Sequence, residues 1–335
     1  MKRRVAIVGS YNQDFIWRTE HFPVPGETRL GRFSTGPGGK GFNQAVAAAR
    51  QGAQVTFIGA LGRDAVGEGA AALAKTENID ARWQWCDDAA SGTAAIVLDS
   101  SGQNLIIVGS GANLALSAAH VDAHADTIVA AAVTLVQHEV TPAATLRALE
   151  LAQSAGAATL LNPAPPLADE NGALLPLTDL ITPNETEFAH LLACHAELDV
   201  DAAALANMSE AELQVLARRL PVQTLVLTLG AAGVFVSHGE QPRWRDSATH
   251  YRWPAEAVQV RDTTGAGDAF SGSLAAALAE LGEAPFASAI VHANRVAGLA
   301  TESHGAASAM PARAKKRATP SGFMMNGPMP PSGFS

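Results

Sequence analysis

The chain has 335 residues, 47% hydrophobic and 16% charged, enough apolar material for one large core with a smaller appendage. A formal net charge of −9 excludes nucleic acid as the main partner, because neutralising phosphates takes a basic face. Cys86 and Cys194 give no disulfide framework and fit a reducing, cytoplasmic setting, and no apolar run approaches the ~18–20 residues that span a bilayer, so no membrane partner is expected.

Met1-Lys2-Arg3-Arg4 is followed by only a short apolar run, 5–8, before Gly9, Asn12 and Asp14. That reads as a buried first strand and not as a signal peptide. Further strand-type runs lie at 55–58, 133–136, 159–161, 180–182, 224–229 and 234–236, and helical patterns at 43–51, 67–76, 142–155, 185–193 and 210–220. The alternation predicts an α/β fold, a three-layer sandwich with a mostly parallel central sheet. Two segments break the rhythm. Residues 15–34 carry Pro23, Pro25 and Gly26, and 92–108 alternate around Asp99-Ser100-Ser101-Gly102, so both read as antiparallel strands of a small β lid. Beyond Pro311, the basic patch 313–317 and the Gly-, Pro-, Ser- and Met-rich stretch 321–335 have no period. One domain over 1–311 and a disordered tail over 312–335 are expected.

Gly36-Pro37-Gly38-Gly39-Lys40-Gly41 matches a dinucleotide fingerprint only formally, since it lies far from the first strand, and Lys40 is followed by glycine, which excludes a P-loop. A dinucleotide-dependent oxidoreductase is therefore disfavoured. The glycines leave room for a ligand to approach the backbone, and Asn12, Asp14, Lys40 and Asn43 supply the donors and acceptors that a polyol needs. Asn12 and Asp14 would equally cap a turn.

The run Asp262-Thr263-Thr264-Gly265-Ala266-Gly267-Asp268-Ala269-Phe270 sets a carboxylate behind a glycine-lined turn, just ahead of a helical pattern that reaches Leu281. Amides at a helix N-terminus favour an anion, and a carboxylate beside them suits a base that deprotonates a hydroxyl during phosphoryl transfer. Asp and Gly are also common as simple caps. Asn184 and Glu187, at i and i+3 on a helix opening, share a face; they suit hydrated magnesium or, equally, a capping box. His190, Cys194 and His195 lack a second ligand pair for zinc and read as an ordinary helix surface.

Taken together, Gly9-Ser10-x-Asn12-x-Asp14, Phe22-Pro23-x-Pro25-Gly26-Glu27-Thr28, Gly38-Gly39-Lys40-Gly41-x-Asn43-Gln44-Ala45, Asn162-Pro163-Ala164-Pro165, Thr182-Pro183-Asn184-Glu185-Thr186-Glu187 and the run 262–270 resemble the ribokinase-like (PfkB) carbohydrate kinase family over about residues 4–311. The resemblance implies an ATP-dependent kinase acting on the primary hydroxyl of a sugar, first of all ribose, with Asp268 as base and Gly265, Ala266 and Gly267 as anion hole. It assigns the sugar to Asn12, Asp14, Gly39, Lys40, Gly41, Asn43 and Glu139. ATP falls to Asn184, Thr228, Leu229, Gly230, Gly233, Gly267 and Asn294, with Mg2+ near Asn184 and Glu187. It further implies a K+ site at Asp262, Thr264, Ala300, Ser303 and Gly305, and a homodimer through the lid. The chain departs from the pattern at Ala309, where the family has a serine ligand and Ser308 sits one residue early, and at Phe42, where the family has alanine. With Tyr11 and Phe15, Phe42 predicts aromatic bulk at the sugar, at a cost of ~1–3 kcal/mol in a packed site unless the ligand changes. A sugar other than ribose, or a nucleoside, is the alternative.

Overall fold

The computed structural model describes residues 4–167, 171–244 and 246–313. The strands are β1 (Arg4–Val8), β2 (Asn12–Arg18), β3 (Arg32–Gly38), β4 (Gln54–Gly62), β5 (Asp80–Cys86), β6 (Thr93–Leu98), β7 (Asn104–Gly109), β8 (Val133–Val136), β9 (Ala158–Leu161), β10 (Leu180–Ile181), β11 (Thr224–Thr228), β12 (Val234–His238) and β13 (His250–Trp253). The helices are α1 (Lys40–Arg50), α2 (Ala65–Thr76), α3 (Ala118–Ala123), α4 (Ala125–Val129), α5 (Pro142–Ser154), α6 (Asn171–Leu174), α7 (Glu185–Ala196), α8 (Ala202–Leu205), α9 (Glu210–Ala217), α10 (Ala266–Glu280) and α11 (Phe286–Ala300).

Successive side chains of a strand point to opposite faces, so a strand that is apolar throughout must be covered twice. In β1, Val5 and Ile7 enter one core while Ala6 and Val8 enter another. The first core is closed by Phe42 and Val46 of α1, Phe270 and Leu274 of α10, and Phe286 and Ile290 of α11. The second is closed by Ala144 and Leu149 of α5, Phe188 and Leu191 of α7, and Leu213 of α9. Between the two layers runs a nine-stranded sheet in the order β13-β12-β11-β10-β9-β8-β1-β4-β5, parallel from β11 to β5 and antiparallel at β11-β12 and β12-β13. This is a three-layer α/β sandwich.

A second, four-stranded sheet has the order β3-β2-β6-β7. Its β6-β7 turn is held by Asp99, whose Oδ1 accepts from the Ser101 and Gln103 amides, with Gly102 at φ 88°. Every residue of β7 is exposed, including Leu105, Ile106, Ile107 and Val108.

Several boundaries differ from the sequence expectation. β2 begins at Asn12, three residues before the expected lid strand, so Asn12 and Asp14 are strand residues and not turn caps. α1 begins at Lys40 and not at 43, with Gly39 as N-cap at φ 86°. Glycine lowers helix propensity in an interior, but a first turn beginning after a positive-φ glycine tolerates Gly41. Strands β5 and β13 and helices α3, α4, α6, α8 and α11 add to the expected elements. Residues 312 and 313, assigned above to the tail, belong to the fold: the Arg313 amide donates to Arg50 O at 2.9 Å. Nearby, Gln51 Nε2 donates to Pro311 O at 2.7 Å and Arg50 Nη1 to Met310 O at 2.6 Å. The remainder of the tail, from 314 onward, lies outside the described residues.

Candidate active site

Ligand sites of parallel α/β sheets form beyond the carboxyl ends of the strands. Here Ser10 follows β1, Gln137 and Glu139 follow β8, Asn162 follows β9, Asn184 follows β10 and Thr228 ends β11. Helices α1 and α10 aim their first turns at the same place. They pack backbone to backbone: a Cβ added to Gly272 of α10 would lie 2.3 Å from Gln44 O of α1. That approach sets Asp268 beside α1. Its Oδ2 accepts from Asn43 Nδ2 and its Oδ1 from Gln44 Nε2, each at 2.9 Å.

On one flank lie the residues expected to hold a sugar. Asp14 projects over β3, where glycine is required, since a Cβ on Gly38 would meet the Asp14 carboxylate at 2.5 Å. Glu139 Oε2 accepts from Ser10 Oγ at 2.5 Å and from the Lys40 amide at 2.8 Å, so it joins the end of β1 to the first turn of α1. Burial, then the neighbouring Glu139 and Asp268 charges, pushes the Asp14 carboxyl up to about 7. Burial opposes the charge on Lys40, yet Asp268, Glu139 and Glu187 together hold its ammonium above the ordinary value. Gly39 and Gly41 are steric necessities, because a Cβ on either would meet the backbone of Asn12 or Ser10 at 2.6 Å.

The other flank is a cleft of about 150 Å3 lined by Lys40, Asn162, Thr182, Asn184, Glu187, Thr228, Thr263, Asp268 and the turn Gly265-Ala266-Gly267. Gly265 takes φ 75° and turns the chain into α10. The first amides of a helix have no intrahelical partner. Of the three expected in the anion hole, the Ala266 N–H is spent on Thr263 O at 3.2 Å. Nothing lies within 4 Å of the Cβ position of Gly267, which leaves that backbone open to approach. Asn184 and Glu187 form a complete capping box: Glu187 accepts from the Asn184 amide and Nδ2, and its own amide donates to Asn184 Oδ1. Capping and metal binding are compatible here, because each carboxylate oxygen keeps a lone pair and Glu187 faces the cleft. Its carboxyl is raised by burial.

Farther along, Leu229 is buried in the second core, so only its backbone faces outward. Gly230 and Gly233 have φ 51° and 86°, and a Cβ on Gly233 would meet Trp253 O at 2.0 Å. Asn294 is not on the cleft lining; its Nδ2 donates to Pro254 O at 2.8 Å and ties the segment beside Gly233 to α11. Behind Asp268, residues 262–264 and 300–305 meet: Asp262 accepts from the Thr264 amide at 2.9 Å and the Gly305 amide at 3.0 Å. Although burial opposes it, the Gly305 and Thr264 hydrogen bonds hold the Asp262 carboxyl below its usual value. The Ala300 carbonyl accepts from the Ser303 amide at 3.3 Å. Ser308 Oγ lies against Gly305, whereas Ala309 is buried and brings no hydroxyl.

The aromatic expectation fails. Phe42 is fully buried, with its ring against Tyr11, Phe57 and Trp83 in the first core. Tyr11 is itself core, and its hydroxyl donates to Gln13 Oε1 at 2.9 Å. Phe15 alternates with Asp14 along β2, so it occupies the opposite face and stacks on Phe33. An i+2 offset from Lys40 in a helix, unlike one in a loop, carries Phe42 away from the ligand side. Phe42 and Tyr11 thus pack in the first core, and Phe15 on the face of β2 opposite Asp14.

Sequence reasoning missed Gln137 and Asn113. Gln137 Nε2 donates to Gln44 Oε1 at 2.6 Å. Asn113 Oδ1 accepts from the Tyr11 amide, while its Nδ2 donates to Tyr11 O and to Asn12 Oδ1, both at 2.9 Å, which fixes how Asn12 is turned. In sequence the run Gly111-Ala112-Asn113 at the exit of the lid offers only a glycine two residues before an amide; the φ of 51° and the burial of Asn113 belong to the fold.

A family model described as pfkB family carbohydrate kinase matches residues 2–313. The chain is 36% identical over 309 residues to the ribokinase of Mus musculus, covering 92% of this chain and 91% of the relative. Among solved structures it resembles a ribokinase from Giardia lamblia (TM-score 0.80, 28% identity, 92% and 96% of the two chains covered). It also resembles an Arabidopsis thaliana ribokinase complexed with ribose and ATP (TM-score 0.76, 25% identity, 93% and 96% covered).

Proposed function

The chain belongs to the pfkB family of carbohydrate kinases and is an ATP-dependent sugar kinase, and from that premise we propose that it converts D-ribose to D-ribose 5-phosphate. The observation that carries the reading is the position of Asp268, in the first turn of α10, shared between a polar sugar flank and an amide-lined cleft. In this reading Asn12, Asp14 and Asn43 take the ring hydroxyls. Asn43 Oδ1 is buried and accepts from no protein group, so its lone pairs are available to one of them. With Phe42, Tyr11 and Phe15 withdrawn, a pentose needs no enlarged site.

Asp268 would take the proton of the primary hydroxyl as its oxygen attacks the γ-phosphorus of ATP. The bond from that phosphorus to the β–γ bridging oxygen breaks, ADP leaves, and the proton passes from Asp268 to solvent. Lys40 and the open backbone at Gly267 line the cleft and would offset the charge on the transferring group, the Ala266 amide being bonded to Thr263. Asn184 and Glu187 offer only oxygen and amide groups, a donor set that fits hydrated magnesium; bound there, the ion would supply charge neutralisation to the phosphates. The nucleotide would run along Thr228, Leu229, Gly230 and Gly233, with Asn294 supporting that wall through Pro254. Potassium activation through Asp262, Thr264, Ala300, Ser303 and Gly305 belongs to the same proposal. So does a homodimer through the lid, which the exposed apolar residues of β7 support.

ADP release over a panel of pentoses, deoxypentoses, hexoses and nucleosides, with and without potassium, tests it. Ribose is expected to give the highest kcat/KM, and stimulation by K+ over Na+ is expected. A higher kcat/KM for another sugar or for a nucleoside would replace ribose, and absence of turnover with every substrate would remove the kinase reading.

A further inference from the structure

A general base works only if its lone pair faces the proton it takes, and the orientation of Asp268 is set by groups that the sequence does not place near it. We propose that Gln137, which does not touch Asp268, is a positioning residue of the phosphoryl transfer, acting through Gln44 to hold the Asp268 carboxylate in its reactive orientation. The inference rests on the kinase reading.

The polarity of this network follows from chemistry. The Asp268 carboxylate only accepts, so Gln44 must turn its NH2 toward it. Both hydrogens of that NH2 are then used, one on Asp268 Oδ1 at 2.9 Å and one on Asn162 Oδ1 at 3.0 Å. Asn162 is fixed in turn, because its Nδ2 donates to the Thr182 carbonyl at 3.0 Å and so its oxygen faces Gln44. The Gln44 oxygen is left pointing away from the site, toward a group that must donate. Gln137 Nε2 supplies that hydrogen at 2.6 Å. Were Gln137 unable to donate, the Gln44 oxygen would be left buried without a donor. Exchanging the two ends of the amide would set that oxygen against Asp268 and Asn162, so Gln44 could satisfy it only by shifting, which would loosen its hold on the carboxylate.

Two observations show that the arrangement is held at a cost. Gln44 and Gln137 have no solvent exposure, and among the described residues Gln137 Oε1 has no donor. That oxygen fills the space beside Gly9 that a Cβ would need, since an added Cβ would lie 2.1 Å from it. A buried acceptor without a donor lowers stability, so the bond to Gln44 is made at the cost of leaving Gln137 Oε1 unpaired. The charged groups that interact with Asp268 come from three other elements, Asp14 on β2, Lys40 on α1 and Glu187 on α7, with Glu139 after β8 acting on Asp14 and Lys40. None of them hydrogen-bonds Gln44 or Gln137, which leaves the amide pair as a separate channel to the base.

The test is a cycle of Gln44→Met, Gln137→Met and the double variant, with Gln137→Ser as a second replacement should methionine fail to pack. Each is assayed for ADP release, for KM of the sugar and of ATP, and for thermal melting. Gln137→Met is expected to lower kcat about tenfold and Gln44→Met about a hundredfold, with both KM values within about twofold of wild type. The double variant is expected to match Gln44→Met, because the effect of Gln137 passes through Gln44. Melting temperature should change little for Gln137→Met, which removes the unpaired Gln137 Oε1 but leaves Gln44 Oε1 without its donor. Independent, multiplying losses of kcat in the double variant would overturn the inference, as would a loss confined to KM or an unchanged kcat in both Gln137 variants. Wild-type protein without turnover would instead remove the kinase reading, and this inference with it.

Discussion

The two flanks of the cleft are made of different material. On the proposed sugar flank the groups are side chains, Asn12, Asp14, Asn43 and Glu139, of which Asn12, Asn43 and Glu139 are each oriented by another side chain or by an amide of the opposite element. On the proposed nucleotide flank the turns at Gly230, Gly233 and Gly265 present backbone beside the side chains of Lys40, Thr228, Asn184 and Glu187, the last two bonded to each other. Side chains read the positions of hydroxyls and respond to pH; a glycine backbone reads shape and charge and does not titrate. Discrimination among sugars should therefore lie on the first flank, and tolerance of the phosphate chain on the second.

Asp268 stands between them and should give the largest effect. Asp268→Asn is expected to lower kcat about 10³-fold, the range of a lost general base, with both KM values little changed. Turnover close to wild type in a steady-state ADP-release assay would show that neither flank meets at this residue. Two glycine substitutions then separate the flanks. Gly38→Ala drives a Cβ into the Asp14 carboxylate and is expected to raise the sugar KM about thirtyfold at constant ATP KM. Gly233→Ala, at φ 86° and against Trp253 O, is expected to raise the ATP KM by a similar factor and to lower the melting temperature. If each variant moved both constants, the division between flanks would fail. The smallest effect is pH dependence. Asp14 must be ionised to accept from two hydroxyls, and its carboxyl lies at about 7. Because it is protonated below that value, kcat/KM for the sugar should fall up to about tenfold per unit as the pH drops, while the ATP KM stays level. A flat sugar profile between pH 5.5 and 8 would remove Asp14 from hydroxyl binding.

The same division explains what could be read from the sequence. Backbone features leave marks in composition: the glycines at 36–41 and 265–267, and the short apolar runs that became β1, β8 and β9, were legible because each has a local physical cause. β5 was not, since Asp80, Arg82 and Gln84 alternate with Trp83 and Trp85 at an edge that is only half-buried and lacks an apolar run. The start of β2 at Asn12 depends on its pairing with Gly38, a partner that no local pattern reveals. Phe42 was misplaced for a related reason, because a shift of three residues in where α1 begins changes which side chains face the ligand. Gln44 and Gln137 stand 93 positions apart, and only the neighbouring places of β1 and β8 in the sheet bring them together.

The bonds that fasten residues 310–313 to the end of α1 carry a consequence for how the molecule opens. Arg50 and Gln51 hold Met310 and Pro311, and Arg313 returns to Arg50 and to Glu280 of α10. The two helices that present Asn43, Gln44 and Asp268 are thus clasped at their far ends by the same short segment. Amide hydrogen exchange in α1, α10 and this segment should then proceed by one shared opening, slower than that of the lid strand β7, whose side chains are all exposed.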